Sequence, residues 1–483
     1  MNDVSTLPTR NPRTGEVDYQ MPVFTAEAVA AVAQRLRAAQ PAWAAQPVAH
    51  RLELLGQFAQ AIAAESEPLV EALTADTGRR IESVLEVQGM QNTIRRWLGD
   101  APGLLVDEAP RRATTPNVII EQHKRPYPVA GIISPWNFPL ILSLIDAIPA
   151  LAVGCAVLIK PSEATPRFVP VLRRAIERVP GLSDVLAFVT GAGPTGEALI
   201  RNSNVVCFTG SVRTGRRVGQ LAAEVFVPVH LELGGKDPAI VCADADIAHA
   251  ARALTWGSMV NAGQTCMSIE RCYVDRKIFE PFVAALSAQV AALRHSYPDI
   301  TCGQVGPIIA EVQIPVVKRH LEEAYAKGAR AVTGGKVLEL GGGAWCEPTV
   351  LVDVNHDMAI IREETFAAIL PVMPFDDEDE AVRLANATDF GLSACVFSRD
   401  VERAKRIAAR LEAGAISIND AALTSMVHDA AKQSFKYSGL GGSRMGTPSL
   451  QRFYRQQAFL INDGTASPWW FPSAAAPAVE GEN

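Results

Sequence analysis

The sequence has few cysteines, and no arrangement of them suggests a metal site. Among 483 residues there are eight, and no two form a Cys-x-x-Cys pair. A disulfide framework is not expected in a chain of this length, and no zinc-binding spacing is present. We therefore predict a reducing, cytoplasmic location, no metal ion, and free thiols at positions 155, 207, 242, 266, 272, 302, 346 and 395.

The chain also lacks the features of membrane, secreted and nucleic-acid-binding proteins. A membrane span needs about eighteen consecutive apolar residues, and the nearest stretch, residues 141–159, is interrupted by Asp146, Pro149 and Gly154. Residues 1–23 lack the basic start and apolar centre of a secretory signal. The net charge is −7 with acids and bases mixed, so no nucleic-acid or membrane partner is expected.

What the sequence does contain is a globular composition with alternating strands and helices. Hydrophobic residues make up 48% and charged residues 20%, and the length predicts two or three domains. Short apolar runs separated by helical segments indicate an α/β fold with a doubly wound sheet. Its strands are predicted at residues 129–134, 156–160, 185–189 and 205–209.

Further elements are predicted on both sides of this sheet. Three- and four-residue periodicity predicts helix over residues 25–65, broken at Pro41 and Pro47, and again over residues 66–98. A second α/β unit is predicted from Asp237, with a buried strand at 391–397 and helices at 245–260, 277–294, 314–328, 378–387 and 400–413. Residues 117–121 and 451–461 are predicted to be extended.

Two short motifs indicate covalent chemistry. Cys266 follows Gly263-Gln264-Thr265, and Glu232 opens the segment Glu-Leu-Gly-Gly-Lys. A thiolate attacks electrophilic carbon, and a carboxylate can take a proton from the thiol or from water. The alternative is a structural cysteine, which is common in protein cores. The polar, glycine-containing flank favours the nucleophile.

Four other motifs accompany these two: Pro135-Trp136-Asn137-Phe138-Pro139, Lys160-Pro161-Ser162-Glu163, Glu363-Glu364-Thr365-Phe366 and Ser438-Gly439-Leu440-Gly441. In their order and spacing the six motifs resemble the aldehyde dehydrogenase superfamily, and the resemblance spans residues 10–463. The resemblance implies an NAD(P)-dependent, non-acylating enzyme with a Rossmann-like NAD-binding domain (1–111 and 125–232), an α/β catalytic domain (233–444) and a small β arm for oligomerisation (112–124 and 445–463). A homodimer or homotetramer is expected.

The same resemblance assigns three catalytic roles. Cys266 attacks the aldehyde, Asn137 and the Cys266 backbone N–H stabilise the oxyanion, and Glu232 activates the water that cleaves the thioester. One oxyanion donor is typically worth about 3–4 kcal/mol of barrier. From the local sequence alone, Asn137 could equally be a turn-forming residue between two prolines.

For the cofactor, the sequence indicates NAD rather than NADP. Lys160 and Glu163 follow a strand end, where open α/β sheets bind ligands, and a carboxylate there would repel a 2′-phosphate. Without the resemblance these two charges, and those of Glu363 and Glu364, could belong to solvated turns. The turn at residues 191–196 has Gly-x-Gly-x-x-Gly spacing, a weak signal. The predicted cofactor residues are Ile133, Trp136, Lys160, Ser162, Glu163, Gly193, Phe208, Gly210, Ser211, Leu233, Gly234, Glu364 and Phe366.

Substrate choice is the least determined feature. Phe138, Leu142 and Ile145 favour an apolar or aromatic aldehyde, unless they are simply helix core. Departures from the family pattern lie at Asp146, where many members have Lys, at Ser443, where many have Glu, and in residues 431–434 and 367–368. Two other functions stay open: a CoA-acylating enzyme, which Glu232 disfavours, and a silent dinucleotide-binding protein. In the tail, residues 464–483, the aromatics at 469–471 either dock on a neighbouring subunit or are exposed.

Overall fold

The computed structural model describes residues 5–464, so the aromatic residues predicted to dock from the tail lie outside the described part. Residues 6–232 form, in chain order, β1 (Thr6–Arg10), β2 (Val17–Pro22), α1 (Ala26–Ala45), α2 (Val48–Ala64), α3 (Ser66–Thr77), α4 (Ile81–Leu104), β3 (Arg111–Arg112), β4 (Val118–Pro126), β5 (Val129–Ile133), α5 (Pro139–Leu144), α6 (Ala147–Val153), β6 (Ala156–Lys160), α7 (Phe168–Glu177), α8 (Leu182–Val185), β7 (Leu186–Phe188), α9 (Gly193–Arg201), β8 (Val205–Thr209), α10 (Val212–Glu224) and β9 (Val229–Glu232).

The rest of the described chain continues this alternation. It forms β10 (Asp237–Val241), α11 (Ile247–Met259), β11 (Ile269–Asp275), α12 (Phe279–Ala291), α13 (Ile314–Ala326), β12 (Arg330–Thr333), β13 (Val337–Leu340), β14 (Gly343–Cys346), β15 (Thr349–Val352), α14 (Ala359–Arg362), β16 (Ile369–Phe375), α15 (Glu378–Asn386), β17 (Phe390–Gly391), β18 (Ser393–Phe397), α16 (Val401–Ala408), β19 (Ala415–Ile418), α17 (Leu423–Met426), β20 (Phe435–Lys436), β21 (Gly439–Leu440) and β22 (Tyr454–Asn462).

The first large sheet has the strand order β21-β9-β8-β5-β6-β7, in which β5 to β9 are parallel and only β21 is antiparallel. Every residue of β6 and β8 is buried, as expected when helices cover both faces of a parallel sheet. Gly131 allows α9 and the residues after it to approach β5 closely, since a Cβ there would lie 2.6 Å from Leu199 Cδ2 and 2.2 Å from Ser203 Oγ. The predicted Rossmann-like α/β fold is confirmed.

The second large sheet has the order β12-β15-β16-β11-β10-β18-β19, with β12 as its antiparallel edge. Glu232 ends β9 of the first sheet, and Asp237 begins β10, an interior strand of the second. Cys266 precedes β11, the parallel neighbour of β10. The two predicted chemical motifs therefore meet where the chain passes from one sheet to the other.

The third sheet is small and exposed. Strand β22 pairs with β4 along its whole length, and β3 pairs with the other edge of β4. Its outer strand exposes apolar side chains, including Leu460 at 71% and Phe459 at 41%. Strands β4 and β22 fall largely within the two segments predicted to form the arm, 112–124 and 445–463, although residues 447–453 lie outside the sheet.

Several predicted boundaries were wrong, for identifiable reasons. Helix α1 continues through Pro41, because the following turn is fixed by Trp43, whose indole donates to the Leu151 carbonyl at 3.0 Å. The helix predicted over residues 66–98 is interrupted at Gly78, which adopts a left-handed φ of 70°. Residues 451–453 belong to a 3-10 helix, Thr447–Phe453, and the extended structure begins only at Tyr454.

Candidate active site

The loop that carries Cys266 has an unusual backbone. Asn261, Ala262 and Gly263 have φ values of 54°, 55° and 72°, so three consecutive residues are left-handed. Gly263 is required, since a Cβ there would lie 2.1 Å from the Ala367 carbonyl oxygen. The Gln264 side chain fixes the turn by donating to the Asn261 carbonyl at 3.1 Å and accepting from Ile309 N–H at 2.8 Å. Such strain commonly marks a functional loop.

Asn137 is held against this loop. Its side-chain amide is buried and donates to the Gln264 carbonyl at 3.0 Å. The Asn137 backbone carbonyl accepts from Asn261 Nδ2 at 3.2 Å and from the buried guanidinium of Arg79. The backbone of Asn137 is thus fixed by two donors, and its side-chain amide is oriented by the hydrogen bond from one of its two N–H groups to Gln264.

The segment that follows Glu232 packs directly on the Cys266 loop. A Cβ at Gly235 would lie 2.5 Å from the Cys266 carbonyl oxygen, so only glycine permits this approach. The Glu232 backbone carbonyl accepts from Gly210 N–H at 3.1 Å, and its carboxylate accepts from Ser434 Oγ at 3.4 Å. Glu232 and Cys266 line the same cleft.

This cleft has a volume of about 950 Å³ and runs from the carboxyl ends of the first sheet to Cys266. A volume of this size is typical of small-molecule and cofactor sites. All thirteen predicted cofactor residues line it, together with Asn137, Glu232, Cys266 and Leu142. Phe138 instead packs under the Arg79 guanidinium at 4.5 Å from its ring centroid, and Ile145 is buried at 5% exposure.

A helix N-terminus opens onto the cleft. Ser211 caps α10 and accepts from Thr214 N–H at 3.3 Å, and Gly210 precedes it. Backbone N–H groups at such an end, with the helix dipole, favour a phosphate. A Cβ at Gly193, the first residue of α9, would meet nothing within 4 Å, so that turn is open.

At the other end of the cleft lies the loop of Glu364 and Phe366. Glu364 accepts from Gly235 N–H at 3.2 Å, and Phe366 contacts Trp136 edge to face at 5.3 Å. The buried Glu270 carboxylate fixes this loop by accepting from the Thr365 and Phe366 N–H groups, each at 2.8 Å. Burial, reinforced by Glu270, raises the pKa of Glu364 to about 8.

Two further charged residues line the cleft, Lys160 and Glu163. Lys160 is buried, and its Nζ lies 3.2 Å from the Glu163 carboxylate, which is half exposed. Burial lowers the pKa of Lys160, and the charge of Glu163 partly opposes that effect.

The Cys266 thiol is protonated in the ligand-free protein. Burial raises its pKa to about 12, with Asp237 and Glu364 adding to the effect and Arg444 opposing it. A neutral thiol needs a base or a bound cofactor to become a nucleophile at neutral pH.

The sequence prediction missed several residues of the cleft. Gln313 lines it and donates to the Thr365 carbonyl at 2.7 Å, and no local signal would have identified it. Arg213 and Arg217 also line it, and Arg217 pairs with Glu197. These two cations stand four residues apart at the start of the helix predicted to bind phosphate, and residues with this spacing lie on one helix face. Their spacing could therefore have identified them as cleft residues from the sequence.

Comparison with known proteins identifies the family. A sequence profile described as the aldehyde dehydrogenase family matches residues 1–459. The chain belongs to the aldehyde dehydrogenase family. It is therefore an oxidoreductase that oxidises aldehydes to acids with NAD(P).

Individual relatives also carry the names of aldehyde-oxidising enzymes. The chain is 35% identical to a protein of Mycolicibacterium smegmatis provisionally named succinate-semialdehyde dehydrogenase [NADP(+)], over 92% of this chain and 86% of the other. It is 35% identical to 4,4'-diapolycopene aldehyde oxidase of Methylomonas sp, over 98% of this chain and 89% of the other. It is 51% identical to a provisionally named aldehyde dehydrogenase, PutA, of Anabaena variabilis, whose structure is solved. The two structures match with a TM-score of 0.95, over 97% of this chain and 100% of the other.

Among the residues that the structure describes, no group of His, Cys, Asp and Glu side chains is suited to hold a metal ion. Within residues 5–464, no helix is long and apolar enough to cross a membrane.

Proposed function

We propose that Cys266 is the nucleophile of an NAD-dependent, non-acylating aldehyde dehydrogenase, with Asn137 as oxyanion donor and Glu232 as base. The observation that carries this proposal is the convergence of these three residues on one cleft. The thiol sulfur attacks the aldehyde carbon, and the thiol proton passes to a base. The free N–H of Asn137 and the Cys266 backbone N–H then donate to the developing oxyanion.

Glu232 acts in the second half of the reaction. A water attacks the carbonyl carbon of the thioester, and its proton passes to the Glu232 carboxylate. The carbon–sulfur bond breaks, which releases the carboxylic acid and regenerates the sulfur of Cys266. The hydrogen bond from Ser434 supports this role, because it orients the carboxylate without neutralising it.

The cofactor would lie along the cleft, and its nicotinamide would supply the hydride acceptor. Ser211, Gly210 and the N-terminus of α10 suit a pyrophosphate, and Glu364 suits the hydroxyls of a ribose. Glu163 suits the adenosine ribose and favours NAD over NADP. The name of the Mycolicibacterium relative specifies NADP(+), so this preference needs a direct measurement.

For the substrate we propose an apolar or aromatic aldehyde. Leu142 is the predicted substrate residue that lines the cleft, and the Methylomonas relative is named for an apolar polyene aldehyde. We also propose the domain division given by the resemblance, residues 1–111 with 125–232 and residues 233–444, and a homodimer or homotetramer joined through the arm.

The test is NADH formation from a panel of aldehydes, with and without CoA, in wild type and in Glu232→Gln. The proposal expects turnover without CoA, and in Glu232→Gln a burst near one NADH per site followed by turnover reduced roughly 10²–10⁴-fold. Unchanged turnover in Glu232→Gln would remove Glu232 from the mechanism. An absolute need for CoA would instead assign the enzyme to the acylating branch.

A further inference from the structure

One buried carboxylate, that of Glu270, connects three of the motifs that form the cleft. Glu270 is the second residue of β11, four residues after Cys266, and its side chain is 2% exposed. In the second sheet β11 lies between β10 and β16 and is parallel to both. A side chain at the start of this middle strand can therefore reach the residues that precede both neighbouring strands.

On the side of β10, Glu270 forms an ion pair with Lys236, the last residue of the motif that Glu232 opens. Lys236 Nζ lies 2.6 Å from the Glu270 carboxylate, and the Lys236 side chain is 0% exposed. Burial lowers the pKa of Lys236, and the charge of Glu270 opposes that effect. Buried charges need a partner, so the segment after Glu232 is tied to the strand that follows Cys266.

On the side of β16, Glu270 holds the loop of Glu364 and Phe366. One carboxylate oxygen accepts from Thr365 N–H and from Lys236 Nζ, and the other accepts from Phe366 N–H. Lys236 Nζ also donates to Thr365 Oγ1 at 3.1 Å. Phe366 has a left-handed φ of 55°, a conformation that a bulky side chain rarely adopts and that persists only where neighbouring groups fix it.

The position of Phe366 matters for the proposed reaction, because hydride transfer needs the nicotinamide beside the carbon that Cys266 has attacked. Phe366 packs edge to face on Trp136 at 5.3 Å, and all three residues line the cleft. The Glu270 carboxylate binds the Phe366 backbone directly and lies on the same segment as Cys266. A misplacement of about 1 Å can lower a catalysed rate about 10²-fold.

We propose that Glu270, together with Lys236, is a positioning residue that holds the loop of Glu364 and Phe366 in place relative to Cys266 for hydride transfer. The inference rests on the proposed function. It assigns the ion pair to the first half of the reaction, because hydrolysis of the thioester uses Glu232 and water and needs no hydride acceptor. An ion pair that only stabilised the fold would not act on one step alone.

The first measurement needs no catalysis. Glu270→Gln must direct its NH₂ group at one of the donors, so either Thr365 N–H or Phe366 N–H loses its acceptor. Hydrogen–deuterium exchange of the ligand-free protein, read by mass spectrometry on peptides covering residues 363–368, should become about tenfold faster for that amide. NAD should also bind about tenfold more weakly in a calorimetric titration, because the loop is no longer held in its binding conformation.

The second measurement separates hydride transfer from the other chemistry of the thiol. At saturating NAD, the rate of the NADH burst should fall about ten- to a hundredfold in Glu270→Gln. Hydrolysis of p-nitrophenyl acetate uses Cys266 and Glu232 under the proposed function but involves no hydride transfer, so its rate should change little. The KM for NAD should rise, while the KM for the aldehyde should stay close to that of wild type.

Glu65→Gln is the matched control. Glu65 is a carboxylate at 6% exposure in ion pairs with Arg174 and Arg178, and it does not line the cleft. Its variant should keep the wild-type exchange at residues 363–368, NAD affinity and burst rate. Unchanged exchange or unchanged NAD affinity in Glu270→Gln overturns the inference, and so does an equal loss of ester hydrolysis and burst rate.

Two further outcomes remain decisive. Equal ester hydrolysis by wild type and Cys266→Ala would overturn the proposed function rather than the role of Glu270. Should Glu270→Gln not fold, the double variant Lys236→Met with Glu270→Gln removes both buried charges together, a change that proteins often tolerate. Wild-type exchange and NAD affinity in that double variant would also overturn the inference.

Discussion

The choice between NAD and NADP can be tested at Glu163, which lines the cleft and is proposed to bind the adenosine ribose. A 2′-phosphate carries about −1.5 to −2 charges near neutral pH. Two unit charges about 5 Å apart interact by roughly 3 kcal/mol at an effective dielectric constant of 20, and by less than about 1 kcal/mol in water. Glu163 is half exposed, so the lower end of this range applies.

The ion pair with Lys160 reduces the repulsion further. Lys160 Nζ lies 3.2 Å from the Glu163 carboxylate, so an approaching phosphate meets a dipole rather than an isolated negative charge. Because the phosphate carries about 1.5–2 charges, the interaction in water becomes about 1.2–1.7 kcal/mol, and after partial compensation by Lys160 a net penalty of about 1–1.4 kcal/mol remains. That penalty corresponds to about a five- to tenfold preference for NAD. Glu163→Gln should remove this repulsion penalty and leave the Lys160 ammonium available to pair with the 2′-phosphate.

The assay compares kcat/KM for NAD and NADP with one aldehyde, following absorbance of the reduced cofactor. Wild type should prefer NAD, and Glu163→Gln should narrow the ratio about tenfold, mainly through a lower KM for NADP. Glu197→Gln is the matched control, because Glu197 also lines the cleft in an ion pair, with Arg217, and should change the ratio less. A wild-type preference for NADP, or an unchanged ratio in Glu163→Gln, would refute the reasoning.

Four further outcomes are expected. Cys266→Ala should abolish turnover while NAD still binds in a fluorescence titration; comparable oxidation would exclude Cys266 as nucleophile. Because burial raises the Cys266 thiol pKa to about 12, iodoacetamide should alkylate the ligand-free enzyme about tenfold faster per pH unit between pH 7 and 9, and an early plateau would contradict that pKa. Because the Glu364 pKa is about 8, this carboxylate gains charge as pH rises through 8, so NAD should bind more tightly from pH 7 to 9 and Glu364→Gln should remove the trend. Light scattering should give a multiple of 51.8 kDa, and Leu460→Glu on the exposed arm should weaken assembly; a wild-type monomer at micromolar concentration would refute the predicted oligomer.

The central strands could be predicted from the sequence because their apolar runs are short and bounded by glycine or proline. Strands β6 and β8 begin and end at the predicted residues, 156–160 and 205–209. Helix ends were harder, because they depend on distant contacts. Nothing near Pro41 in sequence indicates that Trp43 will donate to the Leu151 carbonyl and carry α1 past the proline.

The residues of the candidate site also differ in whether they could be predicted from the sequence. Residues on short motifs, such as Cys266 and Asn137, could be named from the sequence because each motif fixes its own backbone. Gln313 could not, because its contribution is a hydrogen bond to the Thr365 carbonyl, 52 residues away. Phe138 could be placed in its motif from the sequence, but its packing under Arg79 could not be predicted, because Arg79 lies in the distant connection between α3 and α4.

The departures from the family pattern become interpretable together, although each looked like an isolated loss in the sequence. Asp146 stands where many family members have lysine, so the charge at this position is reversed. Ser443 stands where many have glutamate, so the charge at that position is lost. In the structure Ser443 Oγ accepts from Lys432 N–H at 3.0 Å and donates to the Met445 carbonyl at 2.8 Å, which fixes the backbone on both sides of Arg444. Arg444 in turn pairs with Asp146, whose carboxylate accepts from Arg444 Nη2 at 2.8 Å, and both side chains are buried. A single charge reversal at either position leaves an unpaired buried charge, so exchanging the two residues together should lower the thermal unfolding temperature less than either single reversal.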